Sequence, residues 1–204
     1  MDEDIKKWDE YKWEGIFREE DQCINAYMKE LPRYIDLPDE EEILFNRIRK
    51  MQKALPEANL LYDKLYEYQN SFEDEEPCLP EDWRNLQGAD IYKKVLEYAC
   101  AWTRLYVSAF NSDTMNLGLK GACMYAIMLS RIIGVMEMPA DMPALVISSC
   151  KRVNSVINDI IGLTNEISRL QPNLSIRMND QSSRLLLVRE KVLALMEENR
   201  KKIG

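Results

Sequence analysis

The sequence predicts an all-α protein, an antiparallel up-and-down bundle of about six long helices. Three observations lead to this fold class. Apolar residues recur at three- and four-residue steps through most of the chain, which is the spacing of one helix face. Only 7 Gly and 8 Pro occur in 204 residues, fewer than the frequent tight turns of an all-β fold need. Hydrophobic residues make up 46% and charged residues 30%, so we expect a packed core rather than disorder.

The first helix is predicted over residues 2–31, because Pro32 cannot continue it. One face carries its apolar residues: Trp13, Phe17, Ile24, Met28 and Leu31. The segment Asp36-Leu37-Pro38-Asp39 then combines a capping residue, an early proline and acidic residues, which indicates the start of a second helix.

The second helix has a regular apolar seam in four- and three-residue steps, the spacing of a coiled coil. Its members are Leu44, Ile48, Met51, Leu55, Ala58, Tyr62 and Leu65. Pro56 lies inside the seam, yet the phase continues across it. We therefore expect one kinked helix, with a break into two helices as the alternative.

Residues 71–89 are the predicted linker. They contain the acidic run Glu73-Asp74-Glu75-Glu76 and two prolines, and no periodic pattern crosses them. Pro80 is expected to open a short helix and Asp90 to cap the next long one. The predicted domains are an acidic helical hairpin over residues 1–70 and a four-helix bundle over residues 90–204, with one continuous domain as the alternative.

The first helix of the C-terminal bundle has its predicted buried stripe at Ile91, Val95, Tyr98, Trp102, Leu105 and Ala109. The polar residues 111–114 then turn the chain. Residues 117–138 are strongly apolar, but Lys120, Arg131 and Glu137 interrupt them. Because no apolar run reaches the roughly 20 residues of a bilayer span, we expect the central buried helix of the bundle and no membrane insertion.

The next helix, residues 144–170, is expected to bury Val146, Cys150, Val153, Ile157, Ile160, Thr164 and Ile167. On a neighbouring face Ser148, Ser155 and Gly162 stand seven apart, a strip of small side chains predicted to let another helix approach closely. The last helix is expected to begin between residues 173 and 180. Its apolar residues are Leu185, Val188, Val192, Leu195 and Met196.

The chain contains no histidine. Because histidine is the usual general base near neutral pH and the commonest nitrogen ligand for metals, its absence argues against Ser-His-Asp and Cys-His catalysis and zinc proteases. There is also no Gly-rich phosphate loop. We therefore expect no enzyme activity, no catalytic residue, no cofactor and no bound metal.

A magnesium enzyme using carboxylates alone is the third functional hypothesis. Asp159 and Glu166 lie seven residues apart on one helix face, and so do Asp90 and Glu97. Neither pair belongs to the closely spaced acidic doublets that such a site needs on two helices.

The expected compartment is the cytoplasm. The N-terminal residues are acidic where a secretory leader is basic and then apolar. The cysteines are odd in number, widely spaced and without a C-x-x-C motif: Cys23, Cys78, Cys100, Cys123 and Cys150. We expect reduced thiols serving as small core residues, with a reactive or metal-bound thiol as the alternative.

Acidic charge and aromatic residues concentrate in the N-terminal part of the chain. The net charge is −11 over residues 1–80 and +3 over residues 81–204, within a total of −8. Four aromatic residues fall within ten positions of the first helix, and Trp8 and Tyr11 do not share the face of Trp13 and Phe17. Either other helices of the bundle pack against several sides of this helix, or part of it contacts a partner protein. The candidate partner-binding residues are Trp8, Tyr11, Trp13, Phe72 and Trp83.

The C-terminal helices hold many basic residues. A solvated helix face explains them, and a phosphate-contacting patch is the alternative. The candidate phosphate contacts are Arg177, Arg184, Arg189 and Lys191.

These observations favour a non-catalytic protein–protein interaction protein, a helical adaptor, assembly subunit or inhibitor acting through its acidic, aromatic-rich N-terminal half. A homo-oligomer is possible, because the regular seams can pair between chains as well as within one. The alternative is a nucleic-acid-associated accessory protein that contacts phosphates through its basic C-terminal helices.

Overall fold

The structure, a computed structural model, describes residues 7–30, 33–34, 37–39, 42–44, 46–47 and 83–203. Every regular element in these ranges is a helix, which confirms the predicted all-α class. The chain divides into two compact units, one formed by Met1–Glu10 with Pro80–Gly204 and the other by Tyr11–Leu79.

Five α-helices have defined bounds in the described ranges. They are α1 (Glu10–Glu30), α2 (Ala89–Ala109), α3 (Met115–Glu137), α4 (Pro143–Leu170) and α5 (Ser175–Arg200). Short 3₁₀ turns lie at Trp83–Asn85 and Pro172–Leu174. Helices α2 to α5 are joined by short turns and each packs on the next, while α2 also contacts α5. These four helices therefore form a closed up-and-down bundle.

The predicted stripes of α2 and α4 are confirmed. On α2 the residues at positions 91, 95, 98, 102 and 105 are buried, and only Ala109 is half-buried. All seven predicted residues of α4 are buried. On α5, Leu195 is half-buried and the other four predicted residues are buried. Removing this apolar surface from water drives the packing of the bundle, at about 25 cal/mol per Å².

The prediction that the apolar helix is central and buried was wrong. Helix α3 is one of four helices arranged in a ring, so it buries a single stripe that includes Tyr125, Met128 and Ile132. On other faces Leu119 is 52% and Ile127 47% exposed. By length and composition α3 could cross a membrane, and only 33% of its most apolar 18-residue window is buried.

Two helix starts differ from the sequence prediction. Helix α1 begins at Glu10, and residues 7–9 are not α-helical. Asp9 directly precedes the helix and is of a residue type favoured at that position. Helix α2 is preceded by Gly88, whose φ of 79° lies in the left-handed region that glycine enters without strain, so Asp90 lies in the first turn rather than at the cap.

In the unit Tyr11–Leu79, Trp13 is buried and its ring centroid lies 6.1 Å from that of Phe17. Ile24, predicted on the same buried face, is 50% exposed. The Glu30 carboxylate is buried and pairs with Arg33 at 3.0 Å and with Arg47 at 3.1 Å. Two guanidinium partners compensate the loss of water around this carboxylate.

Several predictions for this unit lie outside the described residues. Leu44 is fully buried, as the predicted seam requires. The rest of the seam, the choice between a kink and a break at Pro56, and the acidic run 73–76 fall on residues that the structure does not describe.

Helices α2 and α3 approach closely at two glycines. The indole Nε1 of Trp102 donates a hydrogen bond of 2.9 Å to the Gly118 carbonyl oxygen. A Cβ at Gly121 would overlap the Trp102 indole, and one at Gly118 would lie 2.8 Å from Phe110 Cδ1 and overlap the Tyr106 ring. The absence of side chains at these glycines is therefore what lets the large rings of α2 lie against the α3 backbone.

The strip of small residues predicted to hold another helix close was wrong at two of its three positions. Ser155 and Gly162 on α4 are exposed, and no atom lies within 4 Å of a Cβ built at Gly162. Ser148 is buried, and its hydroxyl donates a 2.6 Å hydrogen bond to the Glu10 backbone oxygen.

A buried glutamine joins two turns at one end of the bundle. Gln171 Nε2 donates to the Ala109 carbonyl oxygen at 2.8 Å, and Gln171 Oε1 accepts from the Thr114 hydroxyl at 2.6 Å. Oε1 also accepts from the Asn111 backbone N–H at 3.4 Å. The side chain thereby connects the α2–α3 turn to the α4–α5 turn, and the predicted turn at residues 111–114 is confirmed.

The cysteines of the bundle divide into two groups. Cys150 is buried, as predicted, whereas Cys100 and Cys123 are exposed on the helix surface, so the prediction of core positions was wrong for both. Burial raises the pKa of the Cys150 thiol to about 12, because the thiolate would lose its hydration.

We expect native protein at pH 8 to be alkylated by iodoacetamide at Cys123 and to stay unmodified at Cys150, since only an accessible thiolate reacts. Peptide mass spectrometry after a timed pulse measures both sites, and unfolded protein, labelled at both, is the control. Equal labelling of the two thiols in native protein would contradict the burial of Cys150.

Candidate interaction surfaces

The outer side of α2 and α3 carries apolar and small side chains. On α2, Leu96 is 41% and Val107 78% exposed, and Cys100 and Thr103 between them are exposed. On α3, Met115 and Leu119 are exposed, Ala126 is exposed and Ala122 is half-buried. We call this surface the α2–α3 face, defined by Leu96, Cys100, Thr103, Val107, Met115, Leu119, Ala122 and Ala126.

Helix geometry makes these residues neighbours. The rings of Trp102 and Tyr106 on α2 point to α3. At 100° per residue, Thr103 and Leu96 are the next side chains around the circumference of α2, so they lie beside α3 on the outer side. The charged side of α2 begins beyond Cys100, with Lys93, Arg104 and Glu97. The α2–α3 face itself contains no charged side chain and is bordered by charge on its α2 side.

Sequence reasoning missed this face, although it left a signal. Leu96, Cys100, Thr103 and Val107 follow a second four-three-four pattern on α2, beside the buried stripe. The predicted helix at 117–138 was also apolar on every side, which is more than one buried stripe requires.

The aromatic residues proposed for partner binding have different environments. Trp8 is half-buried in the unit of the bundle, and Tyr11, in the other unit, is 71% exposed. Trp83 is half-buried, with its ring edge-on to Tyr92 at 5.7 Å and the Arg84 guanidinium 5.1 Å from its centroid. Trp13 is buried, and Phe72 lies outside the described residues. Of the four described residues, Tyr11 thus exposes the largest fraction of its surface.

Residues 7–10 form a short N-terminal arm that contacts the bundle through Glu10. Besides the bond from Ser148, one Glu10 carboxylate oxygen lies 3.7 Å from Lys151 Nζ on α4 and 3.7 Å from Arg200 Nη2 on α5. The arm therefore bridges the start of α4 and the end of α5.

The basic residues proposed for phosphate contacts lie on two sides of α5. Arg184 pairs with Asp180 at 2.8 Å and lies 5.4 Å from the Tyr98 ring centroid, and Lys191 pairs with Asp90; Tyr98 and Asp90 are both on α2.

Arg177 is exposed and precedes Arg184 by seven residues, so it lies on the same side of α5 as Arg184 and Lys191. Arg189 lies on another side, where it donates to Asn158 Oδ1 on α4 at 3.3 Å. Three of the four candidates thus follow one side of α5, where Arg184 and Lys191 are each paired with an aspartate, and Arg189 lies apart from them. The nucleic-acid alternative stays a prediction.

A shallow groove of about 370 Å³ runs between α2 and α5. It is lined by Lys94, Tyr98, Leu187, Val188, Glu190, Lys191 and Ala194. Lysine and glutamate side chains both line it, so it does not favour a ligand of one charge.

Within the described ranges, no group of three or more Cys, Asp or Glu side chains is placed to hold a metal ion. Asp90, one of the candidate magnesium ligands, pairs with Lys191 instead. The buried Tyr125 hydroxyl donates to Gln181 Oε1 at 3.2 Å, and burial raises the pKa of Tyr125 above its usual value. This tyrosine is therefore protonated at neutral pH and donates its hydrogen bond inside the core.

The described residues form an all-α helical bundle with exposed apolar side chains on its α2–α3 face. No protein-family model, curated protein or solved structure matches the chain.

Proposed function

We propose that this chain is a non-catalytic protein–protein interaction protein, a helical adaptor, assembly subunit or inhibitor working in the cytoplasm. The observation that carries the proposal is the α2–α3 face, where Val107 is 78% and Leu119 52% exposed on adjacent helices. Contiguous apolar surface of this kind is where soluble proteins bind partners, because covering it removes apolar area from water.

The N-terminal half supplies a second candidate contact. Tyr11 is 71% exposed on α1, and the first 80 residues carry the net charge of −11. An exposed tyrosine in an acidic part of the sequence suits a partner with a basic rim around an apolar pocket. The proposal therefore places apolar binding on the α2–α3 face and a polar, aromatic contact at Tyr11.

The test is affinity capture with the full chain, followed by identification and titration of any partner bound in fixed stoichiometry. We expect the variant carrying Val107→Asp and Leu119→Asp to lose that partner, since each aspartate would have to lose its water on binding. Leu187→Asp is the matched control, because Leu187 is 57% exposed on α5, away from the face.

The α2–α3 face as binding site would be refuted by a partner that the double variant retains. The non-catalytic assignment would be refuted by substrate turnover that follows the protein through purification.

A further inference from the structure

We infer that the partner covering the α2–α3 face is a second copy of this chain, packed antiparallel about a two-fold axis near the middle of α2. The inference rests on the proposed function and names its partner. Three features of the face support it: the spacing of its α2 residues, the charges along its border, and the sizes of its α3 residues.

The α2 residues of the face have coiled-coil spacing. Leu96, Cys100, Thr103 and Val107 follow steps of four, three and four, the spacing of the seam between two paired helices. The buried stripe of α2 occupies another side of the helix, so this seam has no partner in the described part of the chain. In an antiparallel pair centred between Ala101 and Trp102, Leu96 faces Val107 of the partner subunit and Cys100 faces the partner's Thr103.

The border of the face has charges that suit this pairing. Glu97 and Arg104 are both exposed, stand seven residues apart on one side of the seam, and make no ion pair with another described residue. The same antiparallel register brings Glu97 beside Arg104 of the partner subunit. The two-fold axis repeats the contact, so one helix supplies both halves of two ion pairs.

The α3 residues of the face fit the same axis. Trp102 lies against Gly118 and Gly121, so the middle of α2 is level with the α3 residues between those glycines. The axis then sets Leu119 opposite Ala122 of the partner subunit and Met115 opposite the partner's Ala126. Large side chains meet small ones, which is how facing helices interdigitate.

A lipid surface is the competing occupant, because α3 is apolar enough to enter one. It would give no reason for the oppositely charged Glu97 and Arg104 to lie seven residues apart on one side of the seam. A second copy accounts for both the apolar seam and the charges beside it.

The experiment is sedimentation equilibrium of the full chain over about 1 to 100 µM. We expect the mass to rise with concentration toward twice the 24.0 kDa of one chain. Val107→Asp with Leu119→Asp should keep the protein monomeric throughout. Alkylation of Cys100, exposed in the single chain, should slow as the dimer forms.

Charge reversal tests the register. Glu97→Arg and Arg104→Glu, each alone, should weaken dimerisation about 10-fold or more, because each sets like charges together at two symmetric places. Both changes in one chain should restore the dimer. Glu166→Arg, at an exposed position of α4, is the matched control and should have no effect.

A 24.0 kDa monomer at the highest concentration would overturn the inference. So would a dimer insensitive to the aspartate variants, failure of the double reversal to restore the dimer, or face-dependent co-sedimentation with neutral phosphatidylcholine vesicles. A monomer that still captures a different protein through the α2–α3 face would overturn this inference alone and would leave the proposed function standing.

Discussion

Replacing Gly121 with alanine is expected to lower the free energy of unfolding by about 2 to 3 kcal/mol. The added methyl group would overlap the indole ring of Trp102, which is fully buried and held by its hydrogen bond to the Gly118 carbonyl. Either the ring leaves its position or α3 moves outward from α2. Alanine's higher helix propensity, about 1 kcal/mol, offsets only part of this cost. Urea denaturation followed by circular dichroism measures the change.

Gly134 and Gly162 provide the matched controls. Both lie inside helices, and neither has any atom within 4 Å of an added Cβ. Gly134→Ala and Gly162→Ala should each raise the free energy of unfolding by about 0.5 to 1 kcal/mol, because alanine restricts the unfolded chain. If Gly121→Ala stabilised the protein as these two do, the close packing of Trp102 on α3 would be incorrect.

Replacing Gln171 with alanine is expected to lower the free energy of unfolding by about 2 to 3 kcal/mol, because buried polar groups lose hydrogen-bond partners. The Ala109 carbonyl loses its donor, and the buried Thr114 hydroxyl loses its shortest hydrogen bond, 2.6 Å to Gln171 Oε1, while it keeps Asn111 Oδ1 as an acceptor at 3.0 Å. Thermal and urea denaturation measure the loss. Asn173→Ala, an exposed change in the adjoining turn, is the control and should stay within about 0.5 kcal/mol of the parent.

A double-mutant cycle sharpens this prediction. Thr114→Val removes the hydroxyl but keeps the side-chain shape, so its effect should overlap with that of Gln171→Ala. We expect a coupling energy of about 1 kcal/mol or more. Strictly additive effects would mean that the glutamine does not join the two turns as described.

The sequence predicted the fold well wherever one face of a helix is apolar and the other polar. On α4, seven residues at four-three spacing identified the buried side without error. On α3 the same reasoning failed, because apolar residues occur on every side of this helix. Their periodicity therefore does not identify which side is buried. What orients α3 is the contact of Trp102 with Gly118 and Gly121, a long-range match between a large ring and missing side chains.

The candidate surfaces were predictable to a smaller extent. The aromatic and basic residues can be counted from the sequence, but whether each side chain is exposed depends on how distant parts of the chain pack. Tyr11 is exposed while Trp13, two positions away, is buried. Arg184 and Arg189 are close in sequence, yet one lies toward α2 and the other toward α4. The predicted close helix contact along the small residues of α4 was wrong for the same reason. The sequence of one helix does not determine which neighbouring helix packs against a given side of it.

The contacts of Glu10 have a consequence for biosynthesis. Ser148 follows Glu10 by 138 residues, and Arg200, which lies beside the same carboxylate, comes at the end of α5. At about 5 to 20 residues per second, the arm leaves the ribosome many seconds before its docking site has been translated. The arm must therefore wait in an unbound state, and its attachment should be among the last steps of maturation on or after the ribosome.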